Sequence, residues 1–187
     1  MLTLYLLRHA KSEWDSFDGN DFNRDINEIG IKKTEAIGNY INEKKLDINE
    51  ILSSPSLRTK RTLEIISKFL EPSPVLNYID ELYNSSNLGI FEITKMFAKR
   101  KNVMIVSHEP RLSQSIHDFS SDYKNNFSDC ALTTLEFALL NKIIGSQISF
   151  SIKLSFLSTL LISTSEHEEN IITEIKTKWE LLNKNIN

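Results

Sequence analysis

Two short runs constrain this chain more than any other feature. Thr3-Leu4-Tyr5-Leu6-Leu7 and Val103-Met104-Ile105-Val106 are apolar almost throughout. Each ends abruptly in a polar, histidine-bearing stretch, Arg8-His9 in one case and Ser107-His108-Glu109-Pro110 in the other. A strand with one wet face alternates, whereas an unbroken apolar run suits a strand covered on both faces. Glu50 to Ser53 and Leu132 to Phe137 read as further strands.

Helical patterns lie between them. Asn27 is placed to cap a helix from Glu28 to Lys45, with Ile29, Ala36, Ile37, Tyr40 and Ile41 as its inner face. Ser56 is placed to cap a second helix, Leu57 to Leu70, closed by Pro72. A third is expected over Leu88 to Lys99 and a fourth after Pro110. Strands alternating with helices predict a three-layer α/β/α sandwich with a mostly parallel central sheet.

Further on, Ile148, Phe150, Ile152 and Leu154 alternate with Ser149, Ser151 and Lys153, the mark of a half-buried edge strand. Ser165 and Glu168 form a candidate capping box for a C-terminal helix whose Ile172, Ile175, Trp179 and Leu182 make one apolar stripe. The stripe is expected to pack on the protein's own core. With no internal repeat or low-complexity linker, the 187 residues read as one domain.

Composition narrows the function classes. Hydrophobic residues at 40% and charged residues at 25% are ordinary for a globular chain. A net charge of -3 gives no electrostatic reason to expect nucleic acid or an anionic membrane as partner. Leu2 to Leu7 is too short for a signal peptide, and Ile148 to Ile162 carries Lys153 and four serines where a span needs about 20 mostly apolar residues. Cys130 is the only cysteine, so an intramolecular disulfide is excluded and a cytoplasmic location is expected.

The two histidine-bearing strand ends carry the chemistry. Ligands of open α/β sheets bind at the carboxyl ends of parallel strands, so neighbouring strands would set His9 and His108 over one crevice. Ser53-Ser54-Pro55-Ser56-Leu57-Arg58 is a third strand end running into a helix. Its Arg58 falls in the first helical turn, where amides and dipole already favour an anion. Arg8, His9, Arg58 and His108 thus gather four cation-capable groups, which calls for an anion between them. Each unit charge pair at about 4 Å is worth roughly 4 kcal/mol at an effective dielectric near 20. Arginine forks suit phosphoryl oxygens.

No glycine-rich phosphate cradle or dinucleotide fingerprint exists, so side chains must do this work. A neutral imidazole can attack phosphorus directly, and a second histidine can stabilise the equatorial oxygens. Metal binding is disfavoured, since His9 and His108 lack metal-ligand spacing. No cofactor is expected. His117 and His167 read as ordinary surface histidines, Lys99-Arg100-Lys101 as a solvated helix end and Cys130 as a small packed residue.

Four blocks, in order, resemble the histidine phosphatase superfamily, most closely its SixA-like phosphohistidine phosphatase branch. They are Leu7-Arg8-His9-Ala10-Lys11-Ser12, Ser53-Ser54-Pro55 with Arg58-Thr59 and Thr62-Leu63-Glu64, Asp80-Glu81-Leu82-Tyr83, and Val106-Ser107-His108-Glu109-Pro110. The resemblance covers residues 1 to about 140 and leaves the edge strand and C-terminal helix of 141–187 unmatched.

The resemblance implies a phosphatase with His9 as nucleophile and Arg8, Arg58 and His108 as phosphoryl-binding groups. It makes Glu81 the candidate general acid, with Asp80 as substitute, and a phosphorylated substrate, a phosphohistidine protein included, the expected partner. Asn23-Arg24-Asp25-Ile26 departs from the Arg-Pro-Leu common there, Asp15 from the asparagine of mutase-like relatives, and Ser128-Asp129-Cys130-Ala131 lacks a frequent glycine. Two alternatives remain: a small-molecule phosphatase or mutase-like enzyme, and a catalytically silent phosphoryl-binding module.

Overall fold

A computed structural model describes residues 2–15, 18–84, 88–117, 132–138 and 151–155. The expected C-terminal helix, its capping box, His167, and Ser128 to Ala131 with Cys130 lie outside the described residues. The strands are β1 (Leu2–Arg8), β2 (Glu50–Ser53), β3 (Val75–Tyr78), β4 (Asn102–Ser107), β5 (Leu132–Ala138) and β6 (Ser151–Ser155). They form one sheet in the order β3-β2-β4-β1-β5-β6. β3, β2, β4 and β1 run parallel, while β5 and β6 are antiparallel additions beyond β1.

The helices are α1 (Glu28–Glu43), α2 (Leu57–Ile66), α3 (Ile90–Phe97) and α4 (Arg111–His117). Alternate residues of β1 serve opposite faces of the sheet, as strand geometry requires. Tyr5 and Leu7 join Met104, Ile51, Ile37, Ile41 and Leu63 in the core beneath α1 and α2. Leu4 and Leu6 join Ile105, Leu52, Ile90 and Leu112 beneath α3 and α4. That is the three-layer α/β/α arrangement, and it explains why Leu4 to Leu7 of β1 and Val103 to Val106 of β4 are apolar without a break. No helix among the described residues is long and apolar enough to cross a membrane.

Asn27 caps α1 as expected, its side chain accepting the Gly30 amide. The buried face of α1 differs from the expectation: it is Gly30, Thr34, Ile37, Gly38 and Ile41, whereas Ile29 is 52% exposed and Ala36 faces solvent. Close approach explains the rotation. A side chain at Gly30 would collide with the backbone of Lys11, and one at Gly38 with the ring of Phe69. Small residues therefore mark the contact face, and hydrophobicity alone misplaces it.

Ser56 sits at the cap position of α2 but makes no side-chain cap bond. α2 ends at Ile66 and tightens into a 3-10 turn, Ser67–Phe69, before Pro72. β3 is not among the predicted strands. It is the sheet edge, its Val75, Leu76 and Tyr78 are exposed, and burial patterning leaves no trace there. Lys99, Arg100 and Lys101 are exposed, and the buried carboxylate of Glu50 accepts the Lys99 and Arg100 amides.

Candidate active site

Sheet register assembles the site. β1 and β4 pair one for one, Leu7 with Val106 and Arg8 with Ser107, so His9 and His108 emerge side by side. The His9 amide donates to the Ser107 carbonyl, tying the two strand ends together. The imidazole centroids are 4.9 Å apart with the rings tilted by 54°. On the other flank of β4, Ser53 of β2 pairs with Val106, which brings Ser54 level with the same histidine.

His9 is buried, and its Nδ1 lies 2.7 Å from the Ala10 carbonyl oxygen. A carbonyl has no proton to give, so Nδ1 carries the hydrogen. Whenever the ring is neutral its lone pair therefore lies at Nε2, the geometry a nucleophile needs. The loop behind it is fixed from α2: the Ala10 amide donates to Thr62 Oγ1 at 2.9 Å, and that hydroxyl donates to the Arg58 carbonyl. Arg8 ends β1 half-buried opposite Ser107.

Arg58, buried in the first turn of α2, faces a cleft of about 910 Å³ that His108 also lines. Its Nη1 donates to the Asp21 backbone carbonyl at 2.7 Å and its Nη2 to the Asp21 carboxylate at 3.1 Å. That carboxylate also accepts from Arg24 at 2.8 Å and from the Tyr83 hydroxyl at 3.2 Å. Tyr83 packs edge-on against both His108 and Phe22. Two buried nitrogens in the cleft wall, Arg58 Nε and His108 Nδ1, make no hydrogen bond among the described residues. Buried polar atoms are rarely left so.

The electrostatics refine the expectation of four clustered cations. Burial, then the charges of His9 and Arg58, push the His108 pKa down to about 2 against a smaller opposing pull from Asp21. Burial alone would raise the Asp21 pKa. The Arg24 hydrogen bond, the Arg58 charge and hydrogen bond and the Tyr83 hydroxyl outweigh it and hold Asp21 at about 2. The site therefore relieves its own positive charge twice, by a neutral His108 and an ionised Asp21.

Of the residues singled out from sequence, His9, His108 and Arg58 converge, with Arg8 beside His9. Glu81 lies half-buried in the short turn Asp80–Leu82, next to Leu82 and Tyr83 of the cleft wall, and Asp80 is exposed. Sequence reasoning missed Asp21 and gave Tyr83 and Ser54 no individual role. Asp21 and Arg58 stand 37 residues apart, and only the Asn20 cap of the turn Asp21–Asn23 hinted at an ordered loop. Among the described residues no group of three histidines, cysteines or carboxylates is arranged to hold a metal ion.

The model of the histidine phosphatase superfamily (branch 1) matches residues 4–84. Phosphohistidine phosphatase SixA of Escherichia coli K12 is 22% identical over 112 residues, which cover 58% of this chain and 68% of that protein. A chain assigned as phosphohistidine phosphatase SixA in Agrobacterium tumefaciens superposes with a TM-score of 0.65 at 26% identity, over 72% of this chain and 90% of its own. The structure of protein histidine phosphatase SixA complexed with tungstate superposes with a TM-score of 0.64 at 19% identity, over 72% and 88%. The matched blocks and the shared sheet agree with the convergence of His9, His108 and Arg58: residues 4–84 match the histidine phosphatase superfamily, and the fold is shared with its SixA members.

Proposed function

We propose that this protein is a phosphatase that works through a covalent phosphohistidine on His9 and acts on protein phosphohistidine. The observation that carries the reading is the pairing of a nucleophilic Nε2 on His9 with two buried nitrogens, Arg58 Nε and His108 Nδ1, that have no hydrogen-bond partner among the described residues and lie in the adjoining cleft. His9 Nε2 attacks phosphorus as the bond to the leaving nitrogen or oxygen breaks. Arg8, Arg58 and His108 bind the equatorial oxygens, where charge accumulates. Water then attacks the phosphohistidine, releasing inorganic phosphate and returning His9 to its neutral state.

Glu81 is the proposed proton donor to an ester leaving group. A P–N bond makes a smaller demand on such an acid, because a leaving imidazole that is already protonated departs neutral. That difference favours a phosphoramidate over an ester at a site where the Asp21 carboxylate of the cleft wall is held ionised. The substrate class also follows the names of the SixA relatives, one of which has been seen with tungstate, a tetrahedral oxyanion.

The test is hydrolysis of a phosphohistidine peptide and of p-nitrophenyl phosphate in EDTA, comparing wild type with His9→Ala. Turnover that persists in EDTA, prefers the peptide and falls by about a thousandfold or more in His9→Ala is expected. Preference for the ester would move the substrate to small phosphomonoesters. A folded wild type inert toward both would leave a phosphoryl-binding module.

A further inference from the structure

Ser54 is fully buried, and its Oγ lies 2.7 Å from His108 Nε2. The same oxygen accepts the Ser56 amide at 3.4 Å. A buried hydroxyl has to give its own hydrogen to an acceptor inside the protein. Among the described residues His108 Nε2 is the acceptor within reach, so Ser54 donates to it. A neutral His108 must then carry its hydrogen on Nδ1, the atom that is buried without a hydrogen-bond partner among the described residues. An N–H at that position attracts an oxyanion, whereas a lone pair would repel it.

We propose that Ser54 is a positioning residue that fixes the Nδ1–H tautomer of His108, so that a neutral ring donates to a phosphoryl oxygen. This rests on reading His108 as a phosphoryl-binding group. Neutrality of the ring comes from burial, from His9 at the end of β1, from Arg58 on α2 and from Arg111 on α4, with Asp21 of the 3-10 turn opposing them and the Tyr83 ring at its edge. A bound dianion shifts the balance toward the imidazolium. The imidazolium carries hydrogen on Nδ1 in any case, so the Ser54 hydroxyl matters to the neutral ring alone. Without it, Nε2 faces no fixed partner and the neutral ring loses its preference for the useful tautomer.

Heteronuclear NMR of histidine-labelled wild type, with His108 assigned through His108→Gln, reads the tautomer directly. Orthovanadate affinity is measured alongside in wild type, Ser54→Ala and Ser54→Thr between about pH 5.5 and pH 8. The expected results are an Nδ1–H ring in wild type and vanadate binding weakened about tenfold in Ser54→Ala at the alkaline end. The deficit should shrink toward acid, where the imidazolium carries hydrogen on both nitrogens, and Ser54→Thr should bind as wild type does. An Nε2–H ring in a wild type that binds vanadate, or an alanine deficit equal at every pH, overturns the proposal. A wild type that binds no vanadate overturns the phosphoryl-binding reading beneath it.

Discussion

Replacing Asp21 by asparagine removes one negative charge at nearly constant size, and the cost can be worked from the contacts. The carboxylate accepts from Arg24, Arg58 and Tyr83, and its pKa stands at about 2 against 3.8 for the free side chain. At about 1.4 kcal/mol per pKa unit, the shift sets a ceiling of about 2 kcal/mol. The side chain is 53% exposed, and solvent screening reduces the expected loss to about 1 kcal/mol.

Because the folded pKa lies below the unfolded one, this contribution is complete above the unfolded value. It disappears as the pH falls through the folded value, between about pH 4 and pH 2. Urea midpoints of wild type and Asp21→Asn at about pH 7 should differ by roughly 0.3 to 1 M, for a slope of about 1–3 kcal/mol per molar. Near pH 3 about half of the gap should remain. Equal midpoints at neutral pH, or a gap that does not shrink on acidification, would refute the idea that these arginines hold Asp21 ionised.

Three further substitutions test the frame around His9. Arg58→Lys keeps the charge but loses the planar fork and the buried Nε–H, so kcat/KM should fall by about 10- to 100-fold, equivalent to about 1.4–3 kcal/mol; a change under twofold would place phosphoryl binding elsewhere. Thr62→Val strips the Ala10 amide of its acceptor and should cost about 1–3 kcal/mol in urea unfolding while also weakening vanadate binding, since the loop carries the residue after His9. Gly30→Ala drives a methyl against the Lys11 backbone and should cost about 1–3 kcal/mol; a neutral result would show that α1 can back away from the loop.

Some elements were legible in the sequence because their cause is local. Unbroken apolar runs announced β1 and β4, since a strand roofed on both faces has no polar position to show. Asn27 announced the start of α1, because a cap is a bond between residues three apart. Small residues hid the true face of α1, and exposure hid β3, because neither contributes hydrophobic periodicity. The order β3-β2-β4-β1 was not written in any segment, yet it places His108 between His9 and Ser54.

The sequence by itself determined which residue types could meet a phosphoryl group: two histidines and two arginines, each at or just beyond a strand end. It also confined them to one edge of the sheet, because parallel strands all finish on the same side. Only the tertiary structure decided their chemical states. The Ala10 carbonyl places the hydrogen of His9, burial with the neighbouring charges keeps His108 neutral, and Asp21 crosses from a loop 37 residues away to offset Arg58. Protonation and tautomer depend on what lies within a few ångströms, and those neighbours come from distant parts of the chain.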